Sequence, residues 1–354
     1  MPPSNLPLRI IHADPLRAYT QAIFEAAGIA PAKAWLVADS FVAANLRGVD
    51  SHGVQLLPPY IEAIRRHYID IHSEGTIATE AGACMVYDGQ NALGQVVSTH
   101  CCDHAIRLAR DHGVSIVTAR ESNHFGAAAY WAQKISAQGF LAIVTCNASP
   151  LVVPWQGKEP RLGTNPICMS VPGPNTFLLD MATTTVALNR IFKSAMNNET
   201  TIPAGWAFDK DGVPTTDTQT AIEGSPMPLG GYKGTGLALM VEILCAVLSG
   251  GAMLTELHGL RKQGGPMRVG HFFLALDVAR FLPIDDFVAR MQHVHDTIKN
   301  TAPAPGYDEV LVAGEPEWRS LENRLRDGIP IAVPTWDKLA ELAQSLGVAV
   351  PATV

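Results

Sequence analysis

The chain has 354 residues, 47% of them hydrophobic and 17% charged, a balance that supports a large buried core and excludes disorder. Its formal charge of −7 comes without any Lys/Arg run, which argues against nucleic acid or an anionic membrane as a main partner, while a locally basic pocket can still draw in small anions. Met1 to Leu8 lacks the basic-then-apolar pattern of a signal peptide. The longest apolar stretch, Leu237 to Leu248, contains Glu242 and is too short to span a bilayer, so a cytoplasmic location is expected.

Asp14-Pro15 reads as a capping residue followed by proline at the first helical position, opening a helix that runs to Gly28. Ala34 to Leu46 is a second, apolar-periodic helix stopped by Gly48, and Tyr60 to Arg66 a third. From about Thr76 the pattern changes. Met85 to Asp88 is a short strand, Gln95 to Asp111 a helix, and Ser115 to Thr118 a strand within the β-type run Val114 to Thr118. Ala127 to Gln138 is a helix closed by Gly139, and Phe140 to Cys146 a buried strand.

Ile167 to Val171 and Phe177 to Asp180 alternate as neighbouring strands would about a Pro172-Gly-Pro174 turn. Trp206 to Thr218 is turn-rich. Within it, Asp209-Lys-Asp-Gly212 is a turn and not an EF-hand loop, since the acidic ligand series stops there. Gly230 to Gly236 leads into Leu237 to Leu248, which reads as a buried helix. His271 to Leu276 is a strand, and Asp285 to Lys299 a helix with a capping aspartate. Val310 to Ala313 is a strand entering Gly314-Glu-Pro-Glu317, and Ile331 to Val333 a strand before the helix Trp336 to Leu346. Strands and helices mixed this irregularly, with hairpin-like pairs, predict an α/β fold with a mixed sheet.

The six cysteines include no Cys-x-x-Cys and read as reduced, mostly buried thiols. His100 and His104, four apart with Asp103 and His112 nearby, have metal-ligand spacing, but their helix is amphipathic and turns the histidines outward, so no metal site is expected.

Two clusters carry chemistry. Arg47-Gly-Val-Asp-Ser-His-Gly53 puts a cation, a carboxylate, a hydroxyl and an imidazole at a helix end; the same residues are also ordinary capping and turn chemistry. Ser122-Asn-His-Phe-Gly126 lies at a strand-to-helix junction, where α/β enzymes place reactive side chains and anion-binding amides. The second cluster favours a site over a capped helix. No Gly-x-Gly-x-x-Gly fingerprint is present. Lys233, among Gly231, Gly234 and Gly236, suits a phosphate at a helix entrance and suits an exposed turn equally well.

With Gly163-Thr-Asn-Pro166, Leu179-Asp-Met-Ala-Thr183, Gly231-Tyr-Lys-Gly234 and Gly314-Glu-Pro316, these motifs form an ordered set spanning about residue 10 to about residue 345. The set resembles the malate/L-lactate dehydrogenase family of the non-Rossmann type, which also contains ureidoglycolate, sulfolactate and diketogulonate enzymes and the piperideine/pyrroline-2-carboxylate reductases. The resemblance implies a non-Rossmann NAD(P)-binding fold with a helical N-terminal lobe. Residues 1–75 plus 301–354 would form the helical, dimerising lobe and 76–300 the NAD(P)-binding mixed α/β domain. It implies a homodimer, NADPH or NADH as coenzyme, and a small carboxylate substrate whose α-carbon exchanges hydride with the nicotinamide.

By position, His52 would be the acid/base with Ser51 in a relay, and His124 a second catalytic candidate. Arg47, Thr164 and Arg190 would meet the substrate. His124, Phe125, Gly126, Ala127, Ala128, Asp180, Met181, Ala182, Lys233, Gly234, Gly314, Glu315 and Pro316 would meet the coenzyme. Two departures bear on the substrate. Where the family commonly carries arginine, four residues after the histidine, this chain has Leu56, and Leu188 replaces a second arginine. Leucine cannot make a paired contact to a carboxylate. The implied activity is therefore reduction of a non-standard 2-oxo acid; the alternatives are a cyclic imino acid reductase and a catalytically silent, coenzyme-binding homologue.

Overall fold

The computed structural model describes residues 7–174, 177–196, 199–261 and 263–353. The chain begins with β1 (Leu8–Ile11), α1 (Ala13–Ala26), α2 (Pro31–Leu46) and α3 (Leu57–Arg65). Next come β2 (Thr76–Ala81), β3 (Cys84–Asp88), α4 (Gly94–His112), β4 (Val114–Ser122), α5 (Ala128–Ser136), β5 (Phe140–Cys146), β6 (Ile167–Ser170) and β7 (Leu178–Met181). An excursion follows through α6 (Leu188–Met196), β8 (Ala207–Phe208), β9 (Pro214–Thr215), α7 (Thr218–Glu223), β10 (Ser225–Pro226) and α8 (Tyr232–Glu242). The chain re-enters the sheet as β11 (Val269–Asp277) and closes with α9 (Ile284–Lys299), α10 (Glu315–Asp327), β12 (Ile329–Ala332) and α11 (Val333–Ser345).

The main sheet has seven strands in the order β2-β3-β4-β11-β5-β6-β7. Its strand pairs are antiparallel except β3 with β4, so the mixed sheet expected from the sequence is the one observed. β11, late in the chain, sits between β4 and β5, and its run Val269 to Phe273 is buried throughout, as a central strand covered on both faces requires. β1 pairs antiparallel with β12, tying the start of the chain to its end.

One large core runs from α1 and α2 through α4, α5 and the sheet. Phe24, Phe41 and Tyr60 meet edge-on at its heart, with ring centroids 5.1 to 6.2 Å apart. Such edge-to-face contacts fix ring orientation as well as burying area. This is how the core aims the Tyr60 hydroxyl.

Several expectations need correction. Asp14 is not the cap of α1: the helix starts one residue earlier, and Asp14 lies within its first turn, paired to Arg17 at 2.7 Å. Asp285 likewise falls inside the first turn of α9, where it favours the helix dipole without capping. Val310 to Ala313 does not form a strand; it reaches the sheet edge through one bond, from the Leu178 N–H to the Ala313 carbonyl at 3.3 Å. The apolar stretch Leu237 to Leu248 is a helix, α8 continued by a wide turn over Ile243–Val247, but only one face, with Ala238, Val241, Cys245 and Ala246, is buried. Leu239, Met240, Ile243, Val247 and Leu248 are exposed, whereas Glu242 is 3% exposed, held by the side-chain amides of Asn147 and Asn165. The two amide donors allow a carboxylate to share the inward face with Val241 and Cys245. No described helix is long and apolar enough to cross a membrane.

Candidate active site

The segment after α2 fans its ionisable groups in three directions. Asn45, 3% exposed on α2, organises the turn: its Nδ2 donates to Asp50 Oδ1 at 2.7 Å and its Oδ1 accepts from the Val54 N–H at 2.9 Å. Asp50 is engaged on α10, where Arg324 donates to both of its carboxylate oxygens at 2.6 and 3.1 Å. Arg47 faces the charges of Glu317 and Asp180, and its Nε is buried with no hydrogen-bond partner among the described residues. Ser51 and His52 remain for chemistry, with Ser51 Oγ 2.9 Å from His52 Nδ1.

The end of β4 delivers His124 to the same place. The two imidazoles stack, with centroids 5.7 Å apart and planes 18° from parallel. Tyr60 Oη lies 2.9 Å from His124 Nδ1 and donates to the His124 carbonyl at 2.6 Å, while accepting from Gln95 Nε2 at 2.9 Å. Behind this wall Phe125 is 2% exposed, stacked on the buried His271 at 4.5 Å, so its side chain supports the site from within the core. His271 in turn meets Ser122 Oγ at 2.9 Å.

These contacts give the two histidines different capacities. The Gly126 N–H donates to His124 Nδ1 at 3.2 Å, and a backbone N–H can only donate. The neutral His124 ring therefore carries its proton on Nε2 and offers a fixed donor. His52 Nδ1 meets only a serine hydroxyl, which donates or accepts, so His52 is free to change tautomer and charge. Burial, with the positive charge of Arg261, lowers His52 to about 4; burial, with His52, His271 and Arg261, lowers His124 to about 3. Both are neutral at pH 7.

A second cluster adjoins the first. Asp180 on β7 accepts from the Ala129 N–H at 2.9 Å, supplying the start of α5 with the cap that Ala127 lacks. Crowding by surrounding protein pushes Asp180 up to about 6 against the pull of that N–H and of Arg47. Met181 and Ala182 follow, half-buried, and Ala127 and Ala128 are buried at the helix entrance. Gly314, at φ 92°, packs against the Leu178 carbonyl of the same strand; Pro316 is exposed beside it, and Glu315 is paired with Lys299 and Arg319. Lys233 is exposed in the first turn of α8 with no ion pair among the described residues. Gly234 is required by packing: a Cβ there would lie 2.3 Å from the Leu229 nitrogen and 2.6 Å from the Thr183 carbonyl. Gly234→Ala is expected to lower stability by about 1–3 kcal/mol in urea denaturation; an unchanged midpoint with weaker coenzyme binding would instead assign the glycine to ligand approach.

Of the predicted substrate contacts, Arg190 is exposed on α6 with no side-chain hydrogen bond or ion pair among the described residues, and Arg47 faces the charge of Asp180. Thr164 is half-buried, and its carbonyl takes both the N–H and the hydroxyl of Thr183. Tyr60, Asn45 and Arg261 escaped the sequence reading. Tyr60 looked like an ordinary helix residue, and Arg261 lies in a Gly/Pro-rich loop without any motif.

A family model described as malate/L-lactate dehydrogenase matches residues 11–340. The chain belongs to the malate/L-lactate dehydrogenase family. It is 36% identical to malate dehydrogenase of Pyrococcus horikoshii over 344 residues, 95% of each chain. The sulfolactate dehydrogenase structure from Methanocaldococcus jannaschii superposes with a TM-score of 0.90 at 36% identity, covering 96% of this chain and 98% of that one. The Δ1-piperideine-2-carboxylate reductase structure from Pseudomonas syringae superposes with a TM-score of 0.82 at 25% identity, covering 95% and 100%. Membership makes the chain an oxidoreductase, implies a nicotinamide coenzyme, and accounts for the missing glycine fingerprint. In this member of the malate/L-lactate dehydrogenase family, Leu56 is 3% exposed and packs in the main core.

Proposed function

We propose that the protein transfers hydride between a nicotinamide coenzyme, NADH or NADPH, and the α-carbon of a 2-oxo or 2-hydroxy acid, with His52 as acid/base. The reading is carried by one observation: the paired imidazoles, one with its proton fixed on Nε2 and the other free to titrate. The unpartnered Arg47 Nε, the Asp180 carboxylate, the entrance of α5 and the unpaired Lys233 are donors and acceptors suited to a dinucleotide. When bound, the reduced coenzyme supplies a hydride.

His124 Nε2–H hydrogen-bonds the oxygen on which charge develops. His52 delivers the proton to that oxygen in reduction and removes it in oxidation. Ser51 follows His52 Nδ1, donating when that nitrogen is bare and accepting when it is protonated. The exposed apolar face of α8, where Tyr232 is 66% and Ile243 and Val247 each 56% exposed, supports a homodimer that covers it.

Purified protein with NADH or NADPH and a panel of 2-oxo acids and cyclic imino acids tests this reading. Coenzyme oxidation with one or more 2-oxo acids is expected. Turnover confined to cyclic imines would move the chain to the reductase class of its Pseudomonas neighbour, and coenzyme binding without any turnover would leave a silent homologue.

A further inference from the structure

We propose that Arg261 binds the substrate carboxylate, taking the duty that Leu56 cannot perform. The proposal rests on reading the site as that of a 2-oxo acid oxidoreductase and names the residue that reading lacks. An anchor for a carboxylate must be cationic, near the imidazoles and not already engaged.

The loop that carries Arg261 is fastened beside the site. Leu257, Leu260 and Met267 are buried in the main core, and Gln263 Nε2 donates to the Pro59 carbonyl at 2.8 Å and to the Leu260 carbonyl at 3.0 Å. Pro59 precedes Tyr60, whose hydroxyl meets His124. Arg261 therefore emerges between two fixed points, one residue after Leu260 and two before Gln263. Its charge acts on both His52 and His124.

Two other arginines are engaged elsewhere: Arg324 is bound to Asp50, and Arg268 makes a forked contact with Glu121. Arg47 faces the charges of Asp180 and Glu317, whereas the charge of Arg261 is the arginine charge that acts on both imidazoles. Arg261 is exposed and has no hydrogen bond or ion pair among the described residues. A guanidinium in this state offers its planar fork to an incoming carboxylate. Held there, a 2-oxo acid leaves its carbonyl to the imidazoles.

The test compares wild type with Arg261→Gln and Arg261→Lys. With coenzyme saturating, the KM for a 2-oxo acid is expected to rise roughly 10- to 150-fold in the glutamine variant, as for loss of a charged hydrogen-bonded contact. The lysine variant should fall between, having the charge without the fork. Coenzyme affinity should not change. Oxamate, a 2-oxo acid mimic that cannot be reduced, reads the same contact without turnover, through NMR of the His52 ring in the coenzyme complex. Oxamate bound by wild type and weakened in the glutamine variant supports the assignment even where no 2-oxo acid is reduced, a result that would sink only the reaction. Oxamate affinity equal in wild type and the glutamine variant, or absent in wild type, overturns it.

Discussion

His52→Ala is expected to lower turnover by roughly 10²- to 10⁴-fold in both directions, the usual worth of a positioned acid/base, while leaving coenzyme affinity near wild type. The expectation follows from the division of labour between the two rings. His124 cannot serve as the proton carrier in its neutral form, because the Gly126 N–H fixes Nδ1 as an acceptor and giving up the Nε2 proton would leave an anion. His52 is constrained only by Ser51. In the free protein its value near 4, set by burial and by Arg261, makes it a base at neutral pH; a bound carboxylate that neutralises Arg261 raises it toward an acid. Coenzyme absorbance under single-turnover conditions separates the proton step from binding. Turnover within a few-fold of wild type in the alanine variant would place the acid/base elsewhere and end this assignment.

The parts of this site that were legible in the sequence are those written locally. Gly48 stops α2 and so presents Ser51 and His52; β4 and α5 flank His124, and that junction is visible from one run of residues. The contacts that give the histidines their roles are not local. Tyr60 reaches His124 across 64 residues, and Arg324 captures Asp50 across 274, so nothing in the heptapeptide itself shows that its aspartate is committed elsewhere. Glu242 makes the same point about the fold. Read by hydropathy it should mark the wet face of its helix, but Asn147 and Asn165, 95 and 77 residues away, supply the donors that let it turn inward beside Val241 and Cys245, while Leu239, Ile243 and Val247 stay exposed. Arg261 depends on a loop whose position is set by buried leucines and one glutamine, a placement that only the folded chain defines.

The protein is expected to lose stability steeply as pH falls below 6.5, from histidines that the fold keeps neutral. His52 is lowered to about 4, and His124 and His271 to about 3, in each case chiefly by burial. Above the ordinary histidine value of about 6.5 all three are neutral in both states and contribute no pH dependence. Below it the unfolded chain takes up protons that the folded chain refuses. Unfolding then gains at most about 4 kcal/mol per pH unit from the three together, until the folded values are reached. Asp180 opposes this: raised to about 6, it binds its proton more readily in the folded state, but its exposure weakens the offset. Domains of ordinary stability hold about 5–15 kcal/mol, so the transition is expected to fall between pH 6.5 and 4. His271 isolates the effect from catalysis, since it lies in the core against Phe125. His271→Phe removes one of the three protons and should make the stability curve shallower by about 1.4 kcal/mol per pH unit. Urea midpoints measured from pH 7.5 down to 4.5 in wild type and the phenylalanine variant decide the matter; a flat wild-type curve, or equal slopes in the two, would mean that these imidazoles are hydrated and charged in the folded protein.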